Sequence, residues 1–201
     1  TTNCVSSPSK EQIINQAFKF HSQRNIPEAA KYYQYFINQG FKDHRVLSNF
    51  GVILKNLGKS QEAERYTMQA IEMDPNYPNA HNHLGIIYRD LGQLKEAERS
   101  LRKAIKIDPY YAEAYNNLGN ILRDLGQLKE AELFSHKAIE INPDLSEAYF
   151  NLALTELLQG NYKHGLANYE YRFEAQKSIS THASTKLKKL NYNKTQTGKK
   201  L

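Results

Sequence analysis

The sequence is poor in cysteine, tryptophan, glycine and proline. Its 201 residues include one cysteine, Cys4, together with no tryptophan, ten glycines and six prolines. A single cysteine excludes an internal disulfide and any zinc site built from several cysteines. The shortage of glycine and proline favours long regular segments, because these residues interrupt helices and strands. We expect Cys4 itself to lie in a frayed N-terminal end.

Long apolar runs are also missing. No stretch approaches the roughly 18 apolar residues of a transmembrane helix, so no membrane span is expected. Residues 1–10 lack the basic start and apolar segment that are typical of a secretory signal peptide. We therefore expect a cytoplasmic protein.

The net charge of +6 is unevenly distributed along the chain. Residues 174–201 contain seven lysines and one acidic residue, whereas residues 1–173 contain twenty basic and twenty acidic residues. This balanced body is not typical of a nucleic-acid-binding domain, so no specific nucleic-acid partner is expected. The lysine-rich tail at 178–201 is either a solvated linker or a segment that attracts nucleic acid or an anionic membrane.

The body of the chain is an internal repeat with a period of 34 residues. Residues 78–111 and 112–145 are identical at 20 of 34 positions. The same spacing separates Phe-Gly or Leu-Gly pairs at 50–51, 84–85 and 118–119, and acid-Pro or Asn-Pro pairs at 74–75, 108–109 and 142–143. A fixed period of this length is typical of proteins built from stacked structural units.

Each period has the pattern of a helix–turn–helix. From Ala80 to Leu91 the apolar residues follow the i, i+3, i+4, i+7 spacing of a helix with one buried face. Gly92 favours a helix end, and Pro109 stops the second helix because proline lacks an amide hydrogen. Gly85 predicts close packing of the two helices. Such a hairpin leaves one apolar face uncovered, which only stacking on neighbouring repeats can bury.

The 34-residue pattern resembles the tetratricopeptide repeat (TPR). In the third period the signature positions hold His81, Leu84, Gly85, Tyr88, Ala97, Leu101 and Pro109. The resemblance implies an all-α TPR solenoid of about five helix–turn–helix repeats in a right-handed superhelix. We predict repeats at 10–43, 44–77, 78–111, 112–145 and 146–179. They form a TPR domain at 10–177, preceded by an N-terminal extension at 1–9.

The resemblance also implies where a ligand binds. In superhelical TPR domains, notably the one that precedes the catalytic region of O-GlcNAc transferase, asparagines on the first helix of each repeat bind the backbone of an extended peptide in a concave groove. A carboxamide suits this role because it both donates and accepts hydrogen bonds. Carried over position by position, the predicted groove residues are Asn49, Lys55, Asn82, His83, Arg89, Asn116, Asn117, Asn120, Arg123 and Asn151. We expect a protein or peptide partner, no cofactor, no metal and no catalytic residues.

Each of these assignments has a structural alternative. The asparagines either contact a ligand or satisfy neighbouring helix ends and solvent. The basic side chains of Lys55, Arg89 and Arg123 either meet acidic groups of a partner or form a solvated face beside the aspartates that follow two of them. His81 and His83 are two positions apart on a helix and point to different sides, which favours packing over a shared metal ion.

Residues 160–173 resemble the last repeat of bacterial, particularly cyanobacterial, TPR proteins that continue into a glycosyltransferase-like domain. In such proteins a Gly-Lys-Lys-Leu-like segment precedes the first strand of that domain, and residues 198–201 have this sequence. The resemblance implies a substrate-recruiting or regulatory arm of a larger enzyme, as the alternative to a non-enzymatic interaction scaffold. Apolar surface on the first or last repeat further predicts end-to-end self-association.

Overall fold

Ten α-helices account for most of residues 8–170, the part of the chain that the computed structural model describes. They are α1 (Lys10–Ser22), α2 (Ile26–Asn38), α3 (His44–Asn56), α4 (Ser60–Met73), α5 (Pro78–Asp90), α6 (Leu94–Ile107), α7 (Ala112–Asp124), α8 (Leu128–Ile141), α9 (Ser146–Leu158) and α10 (Tyr162–Tyr169). No strand forms within residues 8–170, so the predicted all-α fold is confirmed. We call α1, α3, α5, α7 and α9 the A helices, and the even-numbered ones the B helices.

Every A helix begins 34 residues after the previous one, and so does every B helix. The turn inside each repeat depends on a residue with positive φ, which ends the A helix and reverses the chain. Gly92 has φ 74° and Gly126 has φ 77° at this position. The first repeat departs from the pattern, because Arg24 adopts φ 57° where the later repeats have glycine.

The two helices of a repeat pack closely because small residues lie where they cross. A β-carbon added to Gly85 would lie 2.6 Å from Leu101 Cγ, and one added to Gly119 would lie 2.9 Å from Ser135 Oγ. Ala97, which faces this contact from the B helix, is fully buried. The predicted close packing at Gly85 is therefore confirmed. This contact offsets the roughly 1 kcal/mol that a mid-helix glycine costs in helix propensity.

The repeats bury their remaining apolar faces by stacking. The B helices α2, α4, α6 and α8 each pack against the A helix that follows, and this joins successive hairpins. One core cluster joins Phe36, Phe50 and Ile87 of the first three repeats, and a second joins Leu101 and Leu118 of the third and fourth. Because the helices that pack extensively against each other all belong to the same or to adjacent repeats, the described chain is a solenoid rather than a closed bundle.

The stack curves toward its A helices. α3, α5, α7 and α9 also pack directly against one another, whereas no pair of B helices from adjacent repeats makes contacts of that extent within the described residues. The A helices therefore line the concave side and the B helices the convex side. None of the described helices has both the length and the apolarity that crossing a bilayer requires. Cys4, the end of the fifth predicted repeat and the lysine-rich tail lie outside the described residues.

Candidate functional site

Polar side chains join successive A helices along the concave face. Asn117 Nδ2 donates to Asn82 Oδ1 at 2.9 Å, and Asn151 Nδ2 donates to Asn116 Oδ1 at 2.8 Å. One repeat earlier, a serine hydroxyl lies 2.8 Å from an imidazole nitrogen in the same arrangement. The residues of each pair are 35 positions apart, because neighbouring positions on two A helices face each other across a 34-residue repeat. We call the three pairs the amide ladder: Ser48–His83, Asn82–Asn117 and Asn116–Asn151.

Several members of the amide ladder are buried between the repeats. Asn82, Asn116 and Asn151 expose only 4%, 7% and 9% of their surface. Asn82 also donates to the hydroxyl of Tyr111 at 3.3 Å. A buried carboxamide without partners would destabilise the fold, so these hydrogen bonds both satisfy the amides and fix the register between A helices. Asn82, Asn116 and Asn151 therefore bond to side chains of a neighbouring repeat, rather than to the helix ends or the solvent that the structural alternative named.

At the N-terminal end the amide ladder is replaced by an aromatic and histidine cluster. Ile14 occupies the position where a polar partner for Asn49 would stand, and Asn49 instead donates to the hydroxyl of Tyr33 at 3.5 Å. That hydroxyl lies 2.9 Å from Nδ1 of His21. Burial raises the pKa of Tyr33 to about 12, so the phenol stays neutral. Burial also lowers the pKa of His83 to about 4, with a further contribution from the nearby charge of His21, so His83 is neutral at pH 7.

The basic side chains of the groove form a second set of contacts between repeats. Lys55 Nζ lies 3.3 Å from a carboxylate oxygen of Asp90, and Arg89 Nε lies 2.8 Å from one of Asp124. These pairs are also 35 positions apart. Lys55 and Arg89 are therefore neutralised by the next repeat, which favours the structural alternative for these two residues. Partly exposed pairs of this kind contribute at most about 1 kcal/mol each.

Arg123 differs from Lys55 and Arg89, which occupy the equivalent positions of the two preceding repeats. The position that would supply its acidic partner in the fifth repeat is Leu158. Arg123 instead donates to Asn151 Oδ1 at 3.5 Å and lies 3.9 Å from Asp124 on its own helix. Its side chain is only 13% exposed, and burial lowers the pKa of the guanidinium. The guanidinium nevertheless remains a cation at neutral pH, since an arginine pKa stays far above 7.

Three predicted residues lie together on one face of α7. Asn117, Asn120 and Arg123 are spaced three residues apart, so they follow one another along the helix. Asn117 is half-buried, and the amide ladder uses one of its two amide hydrogens. Asn120 is half-buried, and its carbonyl oxygen is inaccessible to solvent and accepts no hydrogen bond from the described residues. We call these three residues the α7 groove face.

Sequence reasoning missed several side chains that complete these networks. Ser48 and the hydroxyls of Tyr33 and Tyr111 each bond to a predicted groove residue. Asp90 and Asp124 were expected to lie beside a solvated face of basic side chains, although each of them pairs with a cation of the preceding repeat. The signal that could have identified several of these contacts is a spacing of 35 residues between complementary polar side chains.

His81 and the convex side of the stack lie apart from the groove contacts described above. His81 Nε2 donates to the carbonyl of Pro75 at 3.0 Å, and His81 is 8% exposed, which fits the packing role. On the convex side, a cleft of about 400 Å³ between α4 and α6 is lined by side chains that include Met68, Tyr88 and Lys103. A second cleft of about 330 Å³ lies between α2 and α4.

Sequence models of the tetratricopeptide-repeat family match several stretches of the chain. A TPR repeat model matches residues 85–126, and three Tetratricopeptide repeat models match residues 44–77, residues 112–145, and both 66–99 and 137–163. Together these matches cover residues 44–163. No curated protein sequence matches this chain.

Solved structures with the same fold share little sequence with this chain. A thermophilic TPR protein of Thermus thermophilus, TTC0263, is 18% identical with a TM-score of 0.72, over 85% of this chain and 99% of that one. MamA 41-end from Desulfovibrio magneticus RS-1 is 21% identical with a TM-score of 0.66, over 88% and 100%. The APC/C hetero-tetramer Cut9-Hcn1 is 16% identical with a TM-score of 0.74, over 83% of this chain and 33% of the matched chain. Residues 44–163 therefore consist of tetratricopeptide repeats, and the described part of this chain is an all-α tetratricopeptide-repeat solenoid.

Proposed function

We propose that this chain is a cytoplasmic protein-interaction scaffold that binds an extended peptide in its concave groove, with the α7 groove face as the central contact. The role is binding rather than catalysis, and it requires no cofactor. The observation that carries the proposal is that Asn117, Asn120 and Arg123 follow one another along α7, and that the amide ladder uses only one of the two amide hydrogens of Asn117.

The geometry of the α7 groove face suits a peptide backbone. Asn117 keeps a carbonyl oxygen and a second amide hydrogen beyond the bond that it makes in the amide ladder. Asn120 follows less than one helical turn later, about 4.5 Å along the axis. An extended peptide presents N–H and C=O groups every ~3.3 Å, so neighbouring peptide units come within reach of both amides.

Arg123 adds a preference for an acidic peptide. The fifth repeat offers Arg123 no carboxylate, because Leu158 occupies the position that corresponds to Asp90 and Asp124. A carboxylate from the ligand would form a charge-assisted hydrogen bond with this partly buried guanidinium. Among the other predicted residues, Asn82, Asn116 and Asn151 hold the A helices in register, while Asn49, Lys55, His83 and Arg89 extend the groove toward the N-terminal repeats.

A peptide selection followed by quantitative binding tests this proposal. Random unstructured peptides displayed on phage are selected against the immobilised chain, and the dissociation constant of a selected peptide is measured by fluorescence polarisation. The double variant Asn117→Ala/Asn120→Ala removes two hydrogen-bonding amides, so we expect about tenfold weaker binding. Arg123→Gln should reduce binding chiefly for peptides that contain aspartate or glutamate.

The control variant is Met68→Ala/Lys103→Ala, which alters the convex cleft and leaves the groove intact. Both double variants are compared with the unmodified chain by circular dichroism melting, so that a loss of folding is recognised. The proposal is wrong if selected peptides bind Asn117→Ala/Asn120→Ala as tightly as the unmodified chain. It is equally wrong if only the convex control loses binding.

A second candidate function is a substrate-recruiting or regulatory arm of a larger glycosyltransferase-like enzyme. It rests on the resemblance of residues 160–173 to the last repeat of such enzymes, and on the Gly-Lys-Lys-Leu sequence at 198–201. Of these segments only residues 160–170 are described, and they include α10. Sequencing the gene beyond codon 201 distinguishes the two candidates: a continuing reading frame with a glycosyltransferase-like domain supports the second, and a stop codon refutes it.

End-to-end self-association is a further proposal, supported by apolar surface on the fifth repeat. Leu158, Tyr162 and Leu166 remain 63%, 66% and 55% exposed. Size-exclusion chromatography with light scattering tests it. We expect a concentration-dependent rise in mass that Leu158→Ser/Leu166→Ser abolishes, and a constant monomer mass over the full concentration range would refute it.

A further inference from the structure

A histidine and two glutamates converge at the junction between the fourth and fifth repeats. Glu132 and His136 lie one turn apart on α8, and Glu156 faces them from α9. One potential ligand atom from each side chain lies within 4.8 Å of the other two. His136 Nε2 and Glu132 Oε1 are themselves 4.0 Å apart. We call these three residues the α8–α9 cluster, and it lies outside the groove described above.

The repeat itself provides an internal comparison for this cluster. The residues 34 positions earlier are Glu98, Arg102 and Leu122, which form an acid–base pair beside a buried apolar residue. There the arginine and the glutamate form an ion pair at 3.1 Å, and the leucine is fully buried. The junction between the fourth and fifth repeats keeps the glutamate, as Glu132, but has His136 in place of the arginine and Glu156 in place of the leucine. A strong cation is thus lost where a second carboxylate is gained.

Glu156 is the unusual member of the α8–α9 cluster. It exposes only 5% of its surface, at a position occupied in the other repeats by Phe20, Leu54, Tyr88 and Leu122. Its carboxylate accepts a hydrogen bond from Asn168 Nδ2, which donates to Oε2 at 2.9 Å. A buried carboxylate close to a second carboxylate is unfavourable unless a cation compensates both charges. The repeat architecture does not require this charge, because an apolar residue fills the same position elsewhere.

We propose that the α8–α9 cluster binds a divalent transition-metal ion of the zinc class. The set of one imidazole and two carboxylates matches the nitrogen and oxygen ligands that Zn²⁺ accepts, and the imidazole disfavours Mg²⁺ and Ca²⁺. His136 is exposed and Glu132 is half-buried, so water can complete the coordination. Asn168 is a positioning residue, because its hydrogen bond orients the Glu156 carboxylate toward the other two ligands. The ion would clamp the fifth repeat to the fourth.

Zinc titration of the full chain tests this site. Zn²⁺ is titrated in competition with a fluorescent chelator at pH 7.5, and the melting temperature is followed by circular dichroism. We expect one equivalent of Zn²⁺ to bind and to raise the melting temperature, since an ion that binds only the folded state stabilises it. Millimolar Mg²⁺ should not displace the zinc. Cobalt substitution should give visible absorption bands from the bound ion.

Glu156→Leu is the decisive variant, because it restores the residue of the preceding repeat and so should fold well. We expect Glu156→Leu and His136→Gln each to weaken Zn²⁺ binding at least about tenfold and to abolish the cobalt bands. The matched controls are Glu98→Gln, at the equivalent position of the third repeat, and His164→Gln, which removes an exposed histidine. Both controls should bind zinc as the unmodified chain does. Absence of stoichiometric binding overturns the proposal, and so does unchanged affinity in Glu156→Leu or His136→Gln.

Discussion

The amide ladder predicts that Asn116 and Asn151 are energetically coupled although they belong to different repeats. In Asn151→Ala the carbonyl oxygen of Asn116 loses its donor, which lies at 2.8 Å, while Asn116 stays buried because it exposes only 7% of its surface. An unpaired buried acceptor costs about 1–3 kcal/mol, equivalent to a roughly 5- to 150-fold change in the folding equilibrium. The same contact is lost in Asn116→Ala.

A double-mutant cycle isolates this contact. Asn116→Ala, Asn151→Ala and the double variant are unfolded in urea, and the free energy of unfolding is followed by circular dichroism of the helical signal. Because the double variant removes both polar groups, we expect its destabilisation to be smaller than the sum of the single effects by about 0.5–1.5 kcal/mol. The exposed Gln61→Ala serves as a control and should change stability by less than about 0.5 kcal/mol. Strict additivity would refute the coupling of the fourth and fifth repeats through these amides.

Three further perturbations follow from the contacts between helices. Gly85→Ala should lower the melting temperature, because the added β-carbon would lie 2.6 Å from Leu101 Cγ. A higher melting temperature, as expected when alanine replaces an exposed helical glycine, would contradict the close packing. Lowering the pH from about 8 to about 5 should reduce the free energy of unfolding by up to about 2 kcal/mol through His83. Folding lowers the pKa of His83 from 6.5 to about 4, so below pH 6.5 the unfolded chain binds a proton at His83 that the folded chain does not bind. The unfolded state is therefore stabilised as the pH falls below 6.5. Comparison with His83→Asn measures the contribution of His83 to the pH dependence of stability. An identical pH dependence in the two proteins would contradict this contribution. Arg89→Ala should lower the free energy of unfolding, measured in urea, by less than about 1 kcal/mol. A decrease above about 2 kcal/mol, or one that persists in about 1 M salt, would show that the contact with Asp124 is more than a partly exposed ion pair.

Much of the fold could be predicted from the sequence, because its signals repeat every 34 residues. The glycine that ends each A helix, the small residue at each helix crossing and the apolar stripes each recur along the chain, so an ambiguous position can be assigned from its equivalents. Arg24 shows the limit of this reasoning. It adopts the positive φ that glycine has in later repeats, and the residue type alone does not indicate it.

The candidate site was less predictable because asparagines fill two different roles in it. Some hold neighbouring repeats together, and others are proposed to contact a ligand. Asn117 and Asn151 occupy equivalent positions, yet Asn117 is half-buried with one bond in the ladder while Asn151 is buried and bonded at both ends of its amide. Arg123 donates to Asn151, whereas Arg89 at the equivalent position of the preceding repeat pairs with Asp124. Such a rearrangement depends on side chains from different repeats at once, which a single period does not reveal.

The most direct measurement of groove binding is a nuclear magnetic resonance titration that follows the side-chain amides of the asparagines. A peptide selected against the chain is added to ¹⁵N-labelled protein, and the side-chain resonances are assigned by single Asn→Ala variants. We predict that the side-chain amide signals of Asn117 and Asn120 shift on binding, while backbone signals of Met68 and Tyr88 on the convex cleft stay in place. Shifts confined to the convex cleft, with both groove amides unchanged, would contradict the account.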